Sequence, residues 1–220
     1  LNDRRQKVAL NGETSSFQNV TCGVPQGSIL GPLLFLLFIN DLPISLRNVV
    51  SSTDMYADDT TIYDIQNSKH AVEHNLQSSM FLLEQWCKQN GMVLNTDKTK
   101  VLLITTPHKR ARLKNDPLSV SFKSVPLKYS KGEKLLGVNI NENLNWGDHV
   151  NKIKKKVSTN IWLLSRIKSF IPVNARNLFY KAYIQPHFDF CNVIWGGTNA
   201  KNLNKLYVLQ KRACKLIFGH

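Results

Sequence analysis

Tyr56-Ala57-Asp58-Asp59 decides how the chain is read, because it sets two carboxylates side by side just ahead of Thr60-Thr61-Ile62-Tyr63, a short β-branched and aromatic run. Adjacent aspartates disfavour each other's ionisation. The flanking residues predict a hairpin with the doublet at its tip. A turn can aim both carboxylates at one place, whereas a flat strand would send them to opposite faces. A hard divalent cation would relieve the repulsion, magnesium by preference and manganese as a substitute. By itself the doublet reads more readily as a solvated turn, since Asp is a common turn residue. Its meaning comes from what surrounds it.

Upstream, Gly23-Val24-Pro25-Gln26-Gly27-Ser28 precedes an apolar stretch over residues 29–42, in which Pro32 suits the first turn of a helix. A helix apolar on all sides is expected to be deeply buried. Further upstream, Asn11-Gly12 between short alternating runs predicts a hairpin. Downstream, Asn67 or Ser68 caps a long helix that ends before Gly91, with Val72, Leu76, Met80, Leu83, Trp86 and Cys87 as its apolar stripe. His70 and His74 have metal-ligand spacing, but they fall opposite the stripe and read as surface residues. A strand is expected over 101–105, a basic loop over 107–114, and a hairpin from 118–122 and 125–129. Another strand is expected over 135–140, where Gly137 permits close backbone approach.

The 220 residues suffice for one large domain or two small ones, and the net charge of +14 is unevenly spread. Residues 150–220 carry 13 Lys and Arg against the single acid Asp189, while the preceding 149 hold 16 bases against 14 acids. Such a basic unit favours a polyanion, most simply a nucleic-acid backbone, although lysine-rich faces also serve solubility. Val150, Ile153, Val157, Ile161, Leu164 and Ile167 predict an amphipathic helix with Lys152, Lys154, Lys155 and Lys156 in its first turns. Positive charge there opposes the helix dipole, so phosphate contact explains these lysines better than helix stability does. A second helix is expected from Pro172 to Ile184, stopped by Pro186. A third runs over 199–218, with Leu203, Leu206, Leu209, Ala213 and Ile217 inward and Lys205, Lys211, Arg212 and Lys215 outward. The division is therefore 1–149 and 150–220. The longest apolar run, residues 33–39, is far short of the ~20 residues of a membrane span, so no membrane partner is expected. Four cysteines without paired spacing suit a reducing interior, nuclear or cytoplasmic.

Taken in order, three blocks resemble the reverse transcriptases of non-LTR (LINE-type, jockey-like) retrotransposons. They are Cys22-Gly23-Val24-Pro25-Gln26-Gly27-Ser28-Ile29-Leu30-Gly31-Pro32, Phe38-Ile39-Asn40-Asp41-Leu42-Pro43 and Tyr56-Ala57-Asp58-Asp59. Asn95-x-x-Lys98-Thr99, Leu135-Leu136-Gly137-Val138, Leu144-Asn145-Trp146 with His149, Ile194-Trp195-Gly196 and Leu209-Gln210-Lys211-Arg212-Ala213 are similar to the later blocks of that family. The resemblance spans nearly the whole chain. It implies an α+β fold: a partial polymerase palm of antiparallel sheet with packed helices, a primer-grip hairpin near 135–140, and a small basic helical thumb.

By the resemblance, Asp58 and Asp59 are metal ligands and catalytic residues of a nucleotidyltransferase. Two cations would clamp the attacking and leaving oxygens of phosphoryl transfer. Pro25, Gln26 and Gly27, with Tyr56 and Ala57, line the nucleotide pocket, and Lys98 neutralises the leaving pyrophosphate. Lys152, Lys154, Lys155, Lys156, Lys205, Lys211 and Arg212 hold the template–primer. The implied partners are an RNA template, a DNA primer and deoxynucleoside triphosphates. One departure stands out. The family's other metal-binding aspartate lies upstream of Gln26 in an apolar strand, and the only acids there, Asp3 and Glu13, do not match that pattern. The expectation is the C-terminal portion of a polymerase, inactive alone, whose fingers and remaining palm belong to a longer protein. The alternative is a retroelement relic acting as a nucleic-acid-binding module.

Overall fold

The structure, a computed structural model, describes all residues except 1, 2, 22, 25, 26, 48, 50, 114, 115, 117 and 220. They form two compact units, residues 1–95 with 120–126, and residues 96–119 with 127–220.

In the first unit, β1 (Arg4–Gln6) pairs antiparallel with β4 (Gln18–Val20), and β2 (Ala9–Leu10) pairs with β3 (Glu13–Thr14). The turn between β2 and β3 is the expected Asn11-Gly12, with φ of 51° and 87°. After α1 (Gly31–Ile39) and α2 (Leu42–Ser45) comes an antiparallel hairpin, β5 (Ser52–Tyr56) and β6 (Asp59–Tyr63). The long helix α3 (Lys69–Gln89) follows, and Ser68 caps it by accepting the Ala71 N–H at 3.1 Å. Met80, Leu83, Trp86 and Cys87 are buried along its stripe, with Val72 and Leu76 half-buried. His70 and His74 are exposed, as their position opposite the stripe predicts.

Deep burial of α1 is not observed. Gly31 and Ile39 are buried, but Leu33, Leu36, Leu37 and Phe38 are exposed. Apolar character around a full circumference does not itself supply a partner on every side. Among the described contacts that hold the α1–α2 region, Phe38 meets Trp86 edge-on at 6.0 Å and Asp41 Oδ1 accepts the Trp86 Nε1–H at 3.0 Å.

The second unit opens with β7 (Lys100–Val101), shorter than expected, which pairs in parallel with a strand introduced below. The expected loop at 107–114 contains a helix, α4 (Pro107–Arg112). Thr106 caps it by accepting the Lys109 N–H, and Pro107 occupies the first turn, where its missing donor costs nothing. Arg110 ties α4 down, donating to the Thr105 carbonyl at 3.0 Å and pairing with Glu142 at 3.4 Å. β8 (Ser121–Phe122) and β9 (Val125–Pro126) form the expected hairpin and return to the first unit, where Gln77 exchanges hydrogen bonds with the Ser121 backbone. β10 (Lys128–Tyr129) is the partner of β7. The hairpin expected near 135–140 is present as β11 (Gly132–Leu135) and β12 (Val138–Asn141), and the strand read over 135–140 is divided between its two arms. Its turn is Leu136-Gly137, with φ of 44° and 92°, so glycine is required for the turn rather than for a strand. A close approach exists there nonetheless, because a Cβ on Gly137 would lie 2.8 Å from the Phe190 ring.

Six helical segments complete this unit: α5 (Gly147–Ile167), α6 (Val173–Phe179), a π-helical turn (Tyr180–Ile184), α7 (Gln185–Asp189), α8 (Asn192–Trp195) and α9 (Ala200–Phe218). Val150, Ile153, Val157, Ile161 and Leu164 of α5 pack with Leu206, Leu209, Ala213 and Ile217 of α9, and Ile184 and Trp195 close the core. Because β12 packs on α5, the hairpin belongs with the helices, and the units part before residue 149. On α9 the inward residue is Asn202 rather than Leu203, its amide satisfied by Thr198 Oγ1 at 3.0 Å. Pro186 does not stop the second helix. The wider π turn before it absorbs the missing donor and the ring, and helix continues to Asp189. No helix of the described residues is long and apolar enough to cross a membrane.

His149 joins this core. Its Nδ1 accepts the Asn139 N–H at 3.2 Å and its ring lies 5.7 Å from that of Trp195. Burial, and then the nearby Lys152 and Lys156 ammonium groups, hold its pKa below the ordinary histidine value. The folded state therefore keeps the imidazole neutral while the unfolded chain takes up a proton near pH ~6.5, so stability is complete above that pH and falls below it. Urea melts of the full chain should show a midpoint that drops as pH is lowered through about 6.5, and His149→Gln should flatten that dependence. In the same assay Ile161→Ala, which empties a fully buried site, should cost about 2–5 kcal/mol, and Lys154→Ala on the exposed arc less than about 0.5 kcal/mol.

Candidate functional site

Tyr56 pairs with Asp59 in the last rung of the β5–β6 ladder, which leaves Ala57 and Asp58 as the turn. Ala57 takes a φ of 52°, a left-handed conformation that costs a residue with a Cβ about 1–2 kcal/mol. The doublet thus sits at a hairpin tip, as its sequence predicts. Tyr56, Ala57, Asp58 and Asp59 are all exposed.

The tip borders a cleft of about 540 Å³ lined by Val24, Gly27, Ser28, Gly31, Pro32, Phe35, Leu36, Ala57 and Asp58. Two blocks far apart in sequence therefore meet in one place, the glycine-rich turn with the start of α1 on one side and the hairpin tip on the other. Gly27 has a φ of 81°, which only glycine adopts without strain, and Ser28 Oγ accepts the Gly31 N–H at 3.0 Å. Pro25 and Gln26 lie outside the described residues. The expectation that the turn aims both carboxylates at one place is met only in part. Asp58 lines the cleft, while Asp59 and Tyr56 are committed to the ladder and are not among the lining residues.

The donor chemistry suits a hard divalent cation, since carboxylate oxygens are what magnesium prefers. The set is incomplete. Among the described residues no group of three or more His, Cys, Asp or Glu side chains could hold a metal ion. Magnesium is usually held by one or two carboxylates, with waters and phosphate oxygens completing its octahedron, so this pair would supply only part of a coordination sphere.

In the second unit, Lys98 stands exposed in the turn ahead of β7. Lys152, Lys154, Lys155 and Lys156 are all exposed in the first turns of α5. On α9, Lys205 donates to Asn151 Oδ1 at 3.0 Å and to Asn202 Oδ1 at 3.3 Å. Lys211 lies over the Tyr207 ring at 4.4 Å, and Arg212 is exposed.

Lys152 and Lys156 converge on a cleft of about 440 Å³ with Lys134, Gly137, Asn139, His149, Ile153, Pro186, His187 and Phe190. Lys152 Nζ donates to Asn139 Oδ1. Burial, followed by Lys156, also lowers the His187 pKa. An adjoining cleft takes Lys152, Lys155, Lys134 and Lys100, but there Glu133 and Asp148 offset the charge, and Lys100 pairs with Glu133 at 2.8 Å. Sequence reasoning did not single out Lys134, Asn139 or His187 as site residues. A sequence signal for His149 existed, since it lies four and eight residues before Ile153 and Val157 and so falls on their face.

A family profile described as reverse transcriptase (RNA-dependent DNA polymerase) matches residues 4–140. Among curated relatives, the probable RNA-directed DNA polymerase from transposon X-element of Drosophila melanogaster is 27% identical over 226 residues, covering 100% of this chain and 24% of that protein. The probable RNA-directed DNA polymerase from transposon BS of the same species is 29% identical over 99% of this chain and 24% of its own length. The RNA-directed DNA polymerase from mobile element jockey of that species is 25% identical over 100% and 24%. The chain spans about a quarter of the length of these relatives. No solved structure matches. A glycine turn meeting a Tyr-Ala-Asp-Asp hairpin at one cleft, in a chain matched by that profile over more than half its length, leads to one assignment: the chain belongs to the reverse transcriptase family, among those of non-LTR, jockey-like retrotransposons.

Proposed function

We propose that this chain is the palm-and-thumb portion of an RNA-directed DNA polymerase that copies an RNA template from a DNA primer with deoxynucleoside triphosphates, in a nuclear or cytoplasmic setting. The observation that carries the reading is the cleft shared by Gly27, Gly31 and Asp58. A glycine turn with no Cβ lets a nucleotide approach the backbone, and a carboxylate at the opposite wall is where a nucleotide-bound cation would need a ligand. Asp58 and Asp59 are the metal-binding pair, with magnesium the natural guest and manganese a substitute. Bound there, the metal supplies neutralisation of phosphate charge. Pro25, Gln26, Gly27, Tyr56 and Ala57 shape the nucleotide pocket. Lys98 neutralises the leaving pyrophosphate. The basic surface of α5 and α9, through Lys152, Lys154, Lys155, Lys156, Lys205, Lys211 and Arg212, holds the template–primer backbone.

The acids before Gln26, Asp3 and Glu13, do not match the pattern that the family resemblance implies for a further metal-binding aspartate, and on that ground we expect no polymerisation from this chain alone. Primer extension on primed RNA with magnesium and the isolated 220-residue chain should give no product, and robust extension that depends on Asp58 would overturn that claim. Substituted for the corresponding quarter of the jockey polymerase, the chain should support extension, and Asp58→Asn should then cost about 10³-fold or more, as removal of one member of a catalytic unit does. A chimera that binds primed RNA yet never extends it would favour the relic. Binding itself should fall steeply with salt, because phosphate neutralisation releases counterions. Filter-binding affinities that stay flat from low to high salt would rule out the basic surface as the nucleic-acid site.

A further inference from the structure

The β5–β6 hairpin that carries Asp58 is tied at both feet to one turn of α3. Ser51 stands immediately before β5 and Asp64 immediately after β6. Asp64 Oδ2 accepts the Asn75 Nδ2–H at 2.8 Å, while its Oδ1 accepts the Ile65 N–H at 2.9 Å and the Gln66 Nε2–H at 3.2 Å. One turn further along α3, Ser79 Oγ donates to the Asn75 carbonyl at 3.0 Å. A hydroxyl has a single proton, so the hydrogen bond between Ser51 and Ser79 is donated by Ser51.

Stability alone does not call for these residues. Ser79 is completely buried, and its place falls inside the stripe of Val72, Leu76, Met80, Leu83 and Trp86. A hydroxyl there must leave water, a cost that an apolar side chain of similar size avoids. Polar groups buried in an apolar seam fix a geometry instead, because few arrangements satisfy them all. The geometry fixed here is the angle at which the hairpin leaves α3. Tyr56, Ala57, Asp58 and Asp59 are exposed, so the packing that directs the tip acts from the base. Five residues of strand put the tip about 17 Å from that base, and a tilt of about 3° would move it by about 1 Å. At a reacting centre a displacement of about 1 Å can cost about 10²-fold in rate.

We propose that Asn75 and Ser79 are positioning residues for Asp58: by holding Asp64 and Ser51, they set where its carboxylate stands in the cleft with Gly27 and Gly31. This rests on the reading of Asp58 as a cation ligand only for what the position serves. The hairpin angle is measured without metal, so the two stand or fall separately.

The test uses the full chain labelled with fluorotyrosine, in which the Tyr56 line of the fluorine NMR spectrum reports on the tip and is assigned by Tyr56→Phe. Ser51→Ala with Ser79→Ala removes both hydroxyls together, so no buried donor is orphaned and the urea midpoint should stay near that of the wild type. The Tyr56 line should nevertheless shift or split. Asn75→Asp, which sets two carboxylates against each other, should move the line too. Adding Asp64→Asn exchanges amide and carboxylate, and should bring it back. A Tyr56 line unmoved in both variants would overturn the proposal, and so would an exchanged pair that recovers the urea midpoint but not the line. Manganese, a paramagnetic ion that oxygen ligands accept, then reads the carboxylate itself. Half-broadening of the Tyr56 line should need about tenfold more manganese in the double serine variant than in the wild type, with no change of charge to account for it. An equal manganese requirement in a variant whose line has moved defeats the proposal, because the angle would then not place Asp58. Broadening indifferent to Asp58→Asn removes the cation reading instead, and the metal-free line still decides whether the clamp sets the tip.

Discussion

Burial of one face of α5 against α9 is the constraint on which the second unit depends. Val150, Val157, Ile161, Leu164 and Ala213 are completely buried along that seam. Each of the valine, isoleucine and leucine side chains contributes about 1.5–3 kcal/mol when removed from water. Once the seam fixes which arc of α5 faces inward, the remaining arc is fixed as well. Lys152, Lys154, Lys155 and Lys156 must then project on the other side, at the helix N-terminus where the dipole disfavours them. The apolar stripe thus dictates where the positive charge stands, and with the β11–β12 hairpin packed beside it, which of those lysines share a cleft.

The first unit is organised by a different rule. Its apolar content is high, yet Leu33, Leu36, Leu37 and Phe38 of α1 are exposed. The Phe38–Trp86 contact and the Asp41–Trp86 hydrogen bond join the α1–α2 region to α3, and the β5–β6 hairpin is linked to α3 as well. The cleft with Asp58 lies between the start of α1 and the hairpin tip, so its shape follows from two local devices. One is the left-handed Gly27 before the helix and the other is the left-handed Ala57 in the turn.

Much of this was legible in the sequence wherever a single local signal decides the outcome. The Asn11-Gly12 turn, the Ser68 cap, the stripe of α3 and the spacing of α5 each correspond to one short-range preference, and each appears where the residues place it. The misreadings have a common physical cause, a second interaction that overrides the first. Basic residues at 107–114 read as a loop, but Thr106 and Pro107 start a helix that Arg110 secures through Glu142. Pro186 reads as a stop, but the π turn before it removes the clash. Leu203 reads as inward, but Asn202 satisfies its amide through Thr198 and takes the buried place. The apolar run of α1 reads as deeply buried because periodicity reports a residue's preference, not the presence of a neighbour. The lysine cleft was only half legible. Lys152 and Lys156 stood out by charge, whereas Lys134 and His187 reach them through tertiary packing that no spacing encodes.

The doublet shows how far turn geometry can carry a functional reading. In a two-residue hairpin the residues at the ends of the ladder face each other, so Asp59 is bound to Tyr56 by register while Asp58 is free to face sideways into the cleft. Adjacent carboxylates in such a turn are not interchangeable. One is placed by the turn, the other by the strand, and only the first meets the glycine block. A cation shared by the pair would be held chiefly by Asp58, with Asp59 adding charge from the strand. Two carboxylates of unequal reach leave most of a cation's coordination sphere to other oxygens. For magnesium those oxygens usually come from water and phosphate groups, so the turn residue and its strand neighbour would contribute unequally to any cation held there.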